Sequence, residues 1–408
     1  MTTIVPSPQS KNAGKGAFFE VLLIFLKLGL TCFGGPIAHI GYFRDEFVMR
    51  RRWLDEQAYA DLVALCQFLP GPASSQVGFS IGLMRAGYLG GLAAWTGFTL
   101  PSAIVLVLFA FGAPSLGGPF GSGLLHGLKL VAVAIVAQAV WGMARTLCPD
   151  RERASIAAVA SLFILLSASS VTQIAAILLG AVAGLGLCRG APPPTGGQVA
   201  MPVSRRAGIA ALATFSILLV GVLVLAHSSL NAVDLFAAFY RSGALVFGGG
   251  HVVLPLLREA FVTPGWVSDD AFLAGYGAAQ AVPGPLFTFA AYLGAVVKPE
   301  PNGLAGAVLG LIGIFLPGIL ILIGMLPFWD ALRVRPGAQA AMRGINAAVV
   351  GLLGAALYNP VWTSSVKTPA DFGVALVGFV LLVAWRAPPL VVVMVGALGG
   401  IVLALTQA

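Results

Sequence analysis

FLKLGLTCFGGP, residues 25–36, recurs as FYRSGALVFGGG, residues 239–250, and that recurrence decides how the chain is read. Phe33-Gly34-Gly35 matches Phe247-Gly248-Gly249, and Lys27 matches Arg241, both 214 positions apart. The matches continue in order. Arg44-Asp45 pairs with Arg258-Glu259, and Trp53 with Trp266. Gln67-x-x-Pro70-Gly71-Pro72 pairs with Gln280-x-x-Pro283-Gly284-Pro285. Leu100-Pro101 pairs with Leu316-Pro317, and Gly127-Leu128 with Gly344-Ile345. The spacing drifts only from 213 (Pro70 to Pro283) to 217 (Gly127 to Gly344). One match could arise by chance in an apolar chain; an ordered series at near-constant spacing marks an internal repeat.

The composition sets the solvent. Of 408 residues, 58% are hydrophobic and 9% are charged, against about 25% charged in a soluble domain. Apolar runs near the length of a bilayer crossing recur along the chain, and a crossing segment must satisfy its own backbone hydrogen bonds. Continuous runs rather than alternating short ones predict helices, not a barrel. The expected fold is therefore an all-α polytopic membrane protein. Helices are expected near 17–35, 57–82, 89–112, 124–147, 154–170, 171–188 and 208–227. A second set is expected near 232–250, 271–297, 303–326, 338–358, 370–385 and 388–406. The stretch 189–206, RGAPPPTGGQVAMPVSRR, is a Pro/Gly-rich linker. The organisation that follows is a first repeat over 1–190, a linker and connecting helix over 191–230, and a second repeat over 231–408.

Six helices per half plus the linker helix make about thirteen. The odd helix makes the second half enter from the opposite side, so the two six-helix repeats are inverted, as in many secondary transporters. Lys and Arg counts favour a cytoplasmic N-terminus. The loop 44–56 dissents, because four arginines would then lie outside; a re-entrant segment at Gly34-Gly35-Pro36 would return it. No cleavable signal peptide is expected at the N-terminus. The net charge of +8 fits basic residues at the ends of membrane helices, so no nucleic-acid partner is expected.

The Phe-Gly-Gly-Pro element, the charged loop ending in Trp and the Gln-x-x-Pro-Gly-Pro element, each present twice, resemble the long-chain chromate transporter family. The resemblance covers nearly all of the chain outside the linker. It implies export of chromate across the bacterial inner membrane, chromate resistance and inverted six-helix halves. One departure is that the second copy reads Gly248-Gly249-Gly250, with no counterpart of Pro36.

Several residues carry the chemistry of an oxyanion site. Lys27 and Arg241 each fall inside an apolar helix, where a cation normally faces protein or an aqueous cavity. The nearest helix ends are about eight residues, roughly 12 Å, away, beyond easy snorkelling reach. The two are therefore expected to face a shared midplane cavity near the half-helix starts after Pro72 and Pro285. Pro70-Gly71-Pro72 and Pro283-Gly284-Pro285 should each break a helix, since proline lacks an N–H and clashes with the preceding turn. The half-helix beyond the break starts with free N–H groups and a positive dipole end, a natural anion seat. Ser74, Ser75 and Gln76 follow the first break and Thr288 the second. Gln67 and Gln280 stand three residues ahead, where they can bridge freed backbone groups or touch the ligand. The glycines at Gly34-Gly35 and Gly248-Gly249-Gly250 suit a hinge, a break or a tight contact. His39 and His251 follow them as structural residues or proton carriers. Lys129 lies near a helix start, and Arg343 reads as an interface anchor.

A Walker-type phosphate loop is missing, so energy must come from the membrane potential or an ion gradient. Sulfate shares chromate's charge and shape and fits the same reading. A membrane oxidoreductase would need paired cysteines or haem ligands. Cys32, Cys66, Cys148 and Cys188 are scattered, so no metal, no cofactor and no enzymatic role are expected. An oligomer is compatible with all of this.

Overall fold

The computed structural model describes residues 15–113, 118–166, 170–188, 202–225, 231–247, 250–298 and 300–407. Gly248, Gly249 and most of the linker lie outside them. Among the described residues every regular element is helical. The first half holds α1 (Lys15–Thr31), α2 (Gly35–Arg44), α3 (Glu56–Phe68), α4 (Ala73–Gly112), α5 (Gly118–Leu147), α6 (Arg151–Leu166) and α7 (Ser170–Leu187). The connector is α8 (Arg205–Leu225). The second half holds α9 (Asn231–Ala244), α10 (Val253–Phe261), α11 (Asp269–Ala281), α12 (Phe289–Val296) and α13 (Gly303–Met325). It continues with α14 (Trp329–Arg333), α15 (Pro336–Ala356), α16 (Thr363–Ser365), α17 (Pro369–Val383) and α18 (Pro389–Gln407). Among the described residues six helical stretches are long and apolar enough to cross a membrane.

The expected helices near 57–82 and 271–297 are each split where Pro-Gly-Pro predicts. Between α3 and α4 Gly71 takes a φ of +117°, and between α11 and α12 Gly284 takes +100°. A side chain opposes such angles, so glycine between the prolines is what lets the chain turn. The loop expected at 44–56 is instead largely helical. Gly34 and Gly35, with φ of +100° and +76°, reverse the chain after α1, and Pro36 occupies the first turn of α2. A π-helical turn, Asp45–Arg50, continues it. Equivalent helices then start on equivalent caps: Asp55 accepts from the Ala58 N–H at α3, and Ser268 from the Ala271 N–H at α11. Within α4, Ala86 and Gly87 leave helical geometry, so residues 73–85 and 88–112 form a hairpin. Its arms touch at Gly82 and Gly90, with no room for a Cβ at either.

Ion pairs show which ends lie together. Glu20, near the start of α1, pairs with Arg51 at 3.6 Å and with Arg85 at 2.9 Å. Arg51 also pairs with Glu46 at 2.6 Å. The Arg85 guanidinium stacks 4.8 Å from the Trp53 ring. Burial raises the Glu46 carboxyl, but its bonds to Arg51 and Arg50 prevail and hold it below the usual carboxylate range. The beginning of α1, the turn after the π-helical segment and the end of the first arm of α4 therefore share one end of the molecule.

The halves interlock. α5 of the first half packs on α17 and α18 of the second, and α15 of the second packs on α6 and α7 of the first. Both crossings are lined by glycine. A Cβ on Gly127 would lie 2.3 Å from the Gly396 carbonyl, and one on Gly344 would lie 1.9 Å from the Gly180 carbonyl. Gly127 and Gly344 are repeat partners, and so are Gly180 and Gly396, 216 positions apart. Small residues let membrane helices approach until their backbones touch.

Candidate functional site

The two breaks meet the opposite half. The Gly71 N–H donates to the Val246 carbonyl at 2.7 Å, and the Gly284 N–H donates to the Cys32 carbonyl at 2.9 Å. Gly71 and Gly284 are repeat partners, as are Cys32 and Val246, so these are two copies of one contact. Each carbonyl lies just past the end of the first long helix of a half, and each donor is the glycine of a Pro-Gly-Pro break. Gly71 also rests against Gly318, and Gly284 against Ser102, themselves equivalent residues that follow the in-helix prolines Pro317 and Pro101. Sequence reading missed Ser102 and Gly318; the signal available was their place beside the paired prolines.

The predicted donors are deeply placed. Ser74, Ser75 and Gln76 open α4 and are 3%, 5% and 0% exposed. No side chain caps this helix. Gln76 Nε2 donates to the carbonyls of Pro70 and Gly318, both at 2.9 Å, and so ties the first break to α13. Ser75 Oγ and Gln76 Oε1 are buried with no partner among the described residues. His39, wholly buried on α2, places Nδ1 3.4 Å from Ser74 Oγ, and its Nε2 is likewise unpartnered.

The second half is built differently at the same place. Thr288 is buried, but its hydroxyl donates to the Pro285 carbonyl at 2.7 Å. A short 3-10 turn, Leu286–Thr288, precedes α12. His251 Nδ1 lies 2.8 Å from the Tyr276 hydroxyl. Gln280 buries its Nε2 without a partner among the described residues, whereas its repeat partner Gln67 is exposed.

The paired cations have different surroundings. Lys27 is exposed on α1, in one stripe with Phe19, Leu23 and Leu30. Arg241 borders a groove of about 400 Å³ between α8, α9 and α10, together with Asp234, Glu259, Thr263, Pro264 and Trp266; Lys27 does not line it. The difference has a structural cause: α8 packs over α9, where the Tyr240 hydroxyl donates to the Phe215 carbonyl at 3.1 Å. Both cations precede the tip carbonyls by five residues, about 7.5 Å of helix. Lys129 pairs with Asp270 at 2.8 Å, and Arg343 donates to the Cys188 carbonyl at 3.0 Å. Cys32 and Cys66 are free thiols with no exposure.

A family model described as "Chromate transporter" matches residues 19–185 and again 233–401. The chain is 29% identical to the "Chromate transport protein" of Pseudomonas aeruginosa, over 98% of this chain and 93% of that one. It is 25% identical to the "Probable chromate transport protein" of Synechococcus elongatus, over 93% of each. It is also 25% identical to an "Uncharacterized transporter" of Methanocaldococcus jannaschii, over 82% of each. No solved structure matches.

Proposed function

The chain belongs to the chromate transporter family, and from that premise we propose that it exports chromate across the bacterial inner membrane and so confers resistance. The observation that carries this reading is the doubled contact between the halves, Gly71 to Val246 and Gly284 to Cys32. It joins broken helices from both repeats at one point, and broken helices meeting between repeats are where secondary transporters hold their cargo. Both halves can loosen there without unfolding, because only a few backbone bonds and glycine contacts hold the tips.

In this reading α1 with α2, and α3 with the first arm of α4, are hairpins that enter from the cytoplasmic side and reach the middle of the membrane. α9 with α10, and α11 with α12, enter from the other side, because α8 adds one crossing between inverted halves. The pairs Glu20–Arg51 and Glu20–Arg85 support the cytoplasmic side for the arginine-rich turn, which removes its conflict with the positive-inside rule. Four half-depth hairpins then replace part of a count of thirteen full crossings. Lys27 and Arg241 sit one on each approach to the tips and attract the anion as it enters and leaves. The donors at the tips are Ser75, Gln67 and Gln280 with the backbone of the two breaks, while the Thr288 hydroxyl is taken by the Pro285 carbonyl and the Ser74 hydroxyl lies against His39.

Export of a dianion needs no coupled ion. A cell negative inside expels it with about 4.6 kcal/mol per 100 mV, a more than thousandfold gradient. The test is chromate uptake into everted membrane vesicles, whose interior becomes positive when energised. Uptake above vector controls, collapsing when the potential is discharged, is expected. No uptake in energised vesicles rejects chromate export, and uptake that a small excess of sulfate abolishes reassigns the cargo to sulfate.

A further inference from the structure

At the start of α4 several buried groups are left over together, whereas at the second break the Gln280 amide nitrogen is the one described donor without a partner. The first N–H groups of a helix have no acceptor within it and carry a partial positive charge. At α4 no side chain caps them. Ser75 Oγ, in this first turn, is 5% exposed and unpartnered. His39 comes from α2, with no exposure, and sets Nδ1 3.4 Å from Ser74 Oγ of the same turn. Phe98 holds its ring edge-on, with centroids 5.1 Å apart and planes at 88°. With Nδ1 engaged by the Ser74 hydroxyl, Nε2 is the free nitrogen, and it is buried without a partner. When Nδ1 accepts from Ser74, Nε2 carries the hydrogen and is a donor.

Buried polar groups are paired in nearly all proteins, so several unpaired ones around one helix start call for a missing partner. A partner for the two donors, Ser75 Oγ and His39 Nε2, must accept hydrogen bonds and suit a positive helix end, which describes an anion; the unpaired Gln76 Oε1 of the same turn is an acceptor and is not part of this seat. The second half gathers no such cluster: its histidine is engaged by Tyr276, its threonine by Pro285, a 3-10 turn separates its break from α12, and Gln280 Nε2, ahead of the break, is left over alone.

We propose that His39 is a ligand of the transported oxyanion, seating it with Ser75 and the free N–H groups that open α4. The proposal rests on the transport reading above and adds to it a specific seat in the first half. A seat of neutral donors suits a carrier, because it compensates a desolvated dianion without the tight grip of a buried ion pair. It also divides the labour: Lys27 and Arg241 attract, while His39 and α4 hold.

The test uses the full-length protein purified and reconstituted in liposomes, with chromate counterflow and direct chromate binding as readouts. His39→Leu removes the donor, His39→Gln supplies an amide N–H in its place, and Ser75→Ala removes the neighbouring hydroxyl. Expected are a loss of chromate affinity of at least tenfold in His39→Leu, and a several-fold rise in KM in His39→Gln and Ser75→Ala with maximal rate kept within about twofold. Elution and melting like the wild type separate these losses from misfolding. Should His39→Leu fail to fold, His39→Gln decides, and an unchanged KM there overturns the assignment. Wild-type transport alongside unchanged affinity in His39→Leu and His39→Gln overturns His39 alone. A wild-type protein that carries neither chromate nor sulfate overturns the transport reading, and the seat with it.

Discussion

Replacing Gly284 by alanine probes the contact between the halves with a single methyl group. Two costs arise. The first is conformational: Gly284 has a φ of +100°, and holding a side-chain-bearing residue in such a region costs about 1–3 kcal/mol. The second is steric. The new Cβ would lie 2.9 Å from Ser102 Oγ and 3.1 Å from the Phe98 carbonyl oxygen. The hydroxyl can turn away, but the carbonyl belongs to the backbone of α4 and must move by a few tenths of an ångström. Overpacking of this kind costs about 1–3 kcal/mol, so Gly284→Ala should destabilise by roughly 2–6 kcal/mol in all. Gly35→Ala is the internal control. Its φ is +76°, with nothing within 4 Å of the added methyl, so it bears the conformational cost alone. Gly71→Ala should behave like Gly284→Ala, since φ is +117° and the methyl would meet Gly318 Cα at 2.9 Å. The assay is thermal unfolding in detergent for all three variants, followed by chromate uptake in everted vesicles at matched abundance. Gly71→Ala and Gly284→Ala should melt well below Gly35→Ala and lose most uptake. Equal melting of Gly284→Ala and Gly35→Ala would refute the claim that the tips are held in close contact.

Single-cysteine tags at 44 and 258 should react from opposite sides of the membrane, and a tag at 52 from the same side as 44; same-side labelling of 44 and 258 ends the inverted reading. Lys27→Gln and Arg241→Gln should each reduce chromate uptake strongly at normal membrane abundance, and Lys27→Arg should keep part of it because the charge remains while the geometry changes. Uptake near wild type in both Gln variants would leave only snorkelling for these side chains. Cys32→Ala and Cys66→Ala should keep most of the transport, since both thiols are buried and free; complete loss in a normally inserted variant would bring redox chemistry back into consideration.

Much of this protein is legible in its sequence by itself. Apolar runs and scarce charge dictate helices in a bilayer, because unpaired backbone groups are not tolerated there. The repeat follows from residue order alone, and so do the breaks at Pro70-Gly71-Pro72 and Pro283-Gly284-Pro285, because proline and glycine act on the backbone locally whatever surrounds them. Tertiary structure decided everything that depends on partners far apart in the chain. No local pattern reveals that Gly71 bonds to Val246, or that α5 packs on the other half's α18. The repeat made Lys27 and Arg241 look equivalent, yet α8 packs over α9 while Lys27 stays exposed on α1. His39 looks like any isolated histidine along the chain, but the turn at Gly34-Gly35 carries it into the core against Ser74. Periodicity and turn chemistry act over a few residues, whereas burial and unpaired donors belong to the packed molecule, so the first can be read in order along the chain and the second only in space.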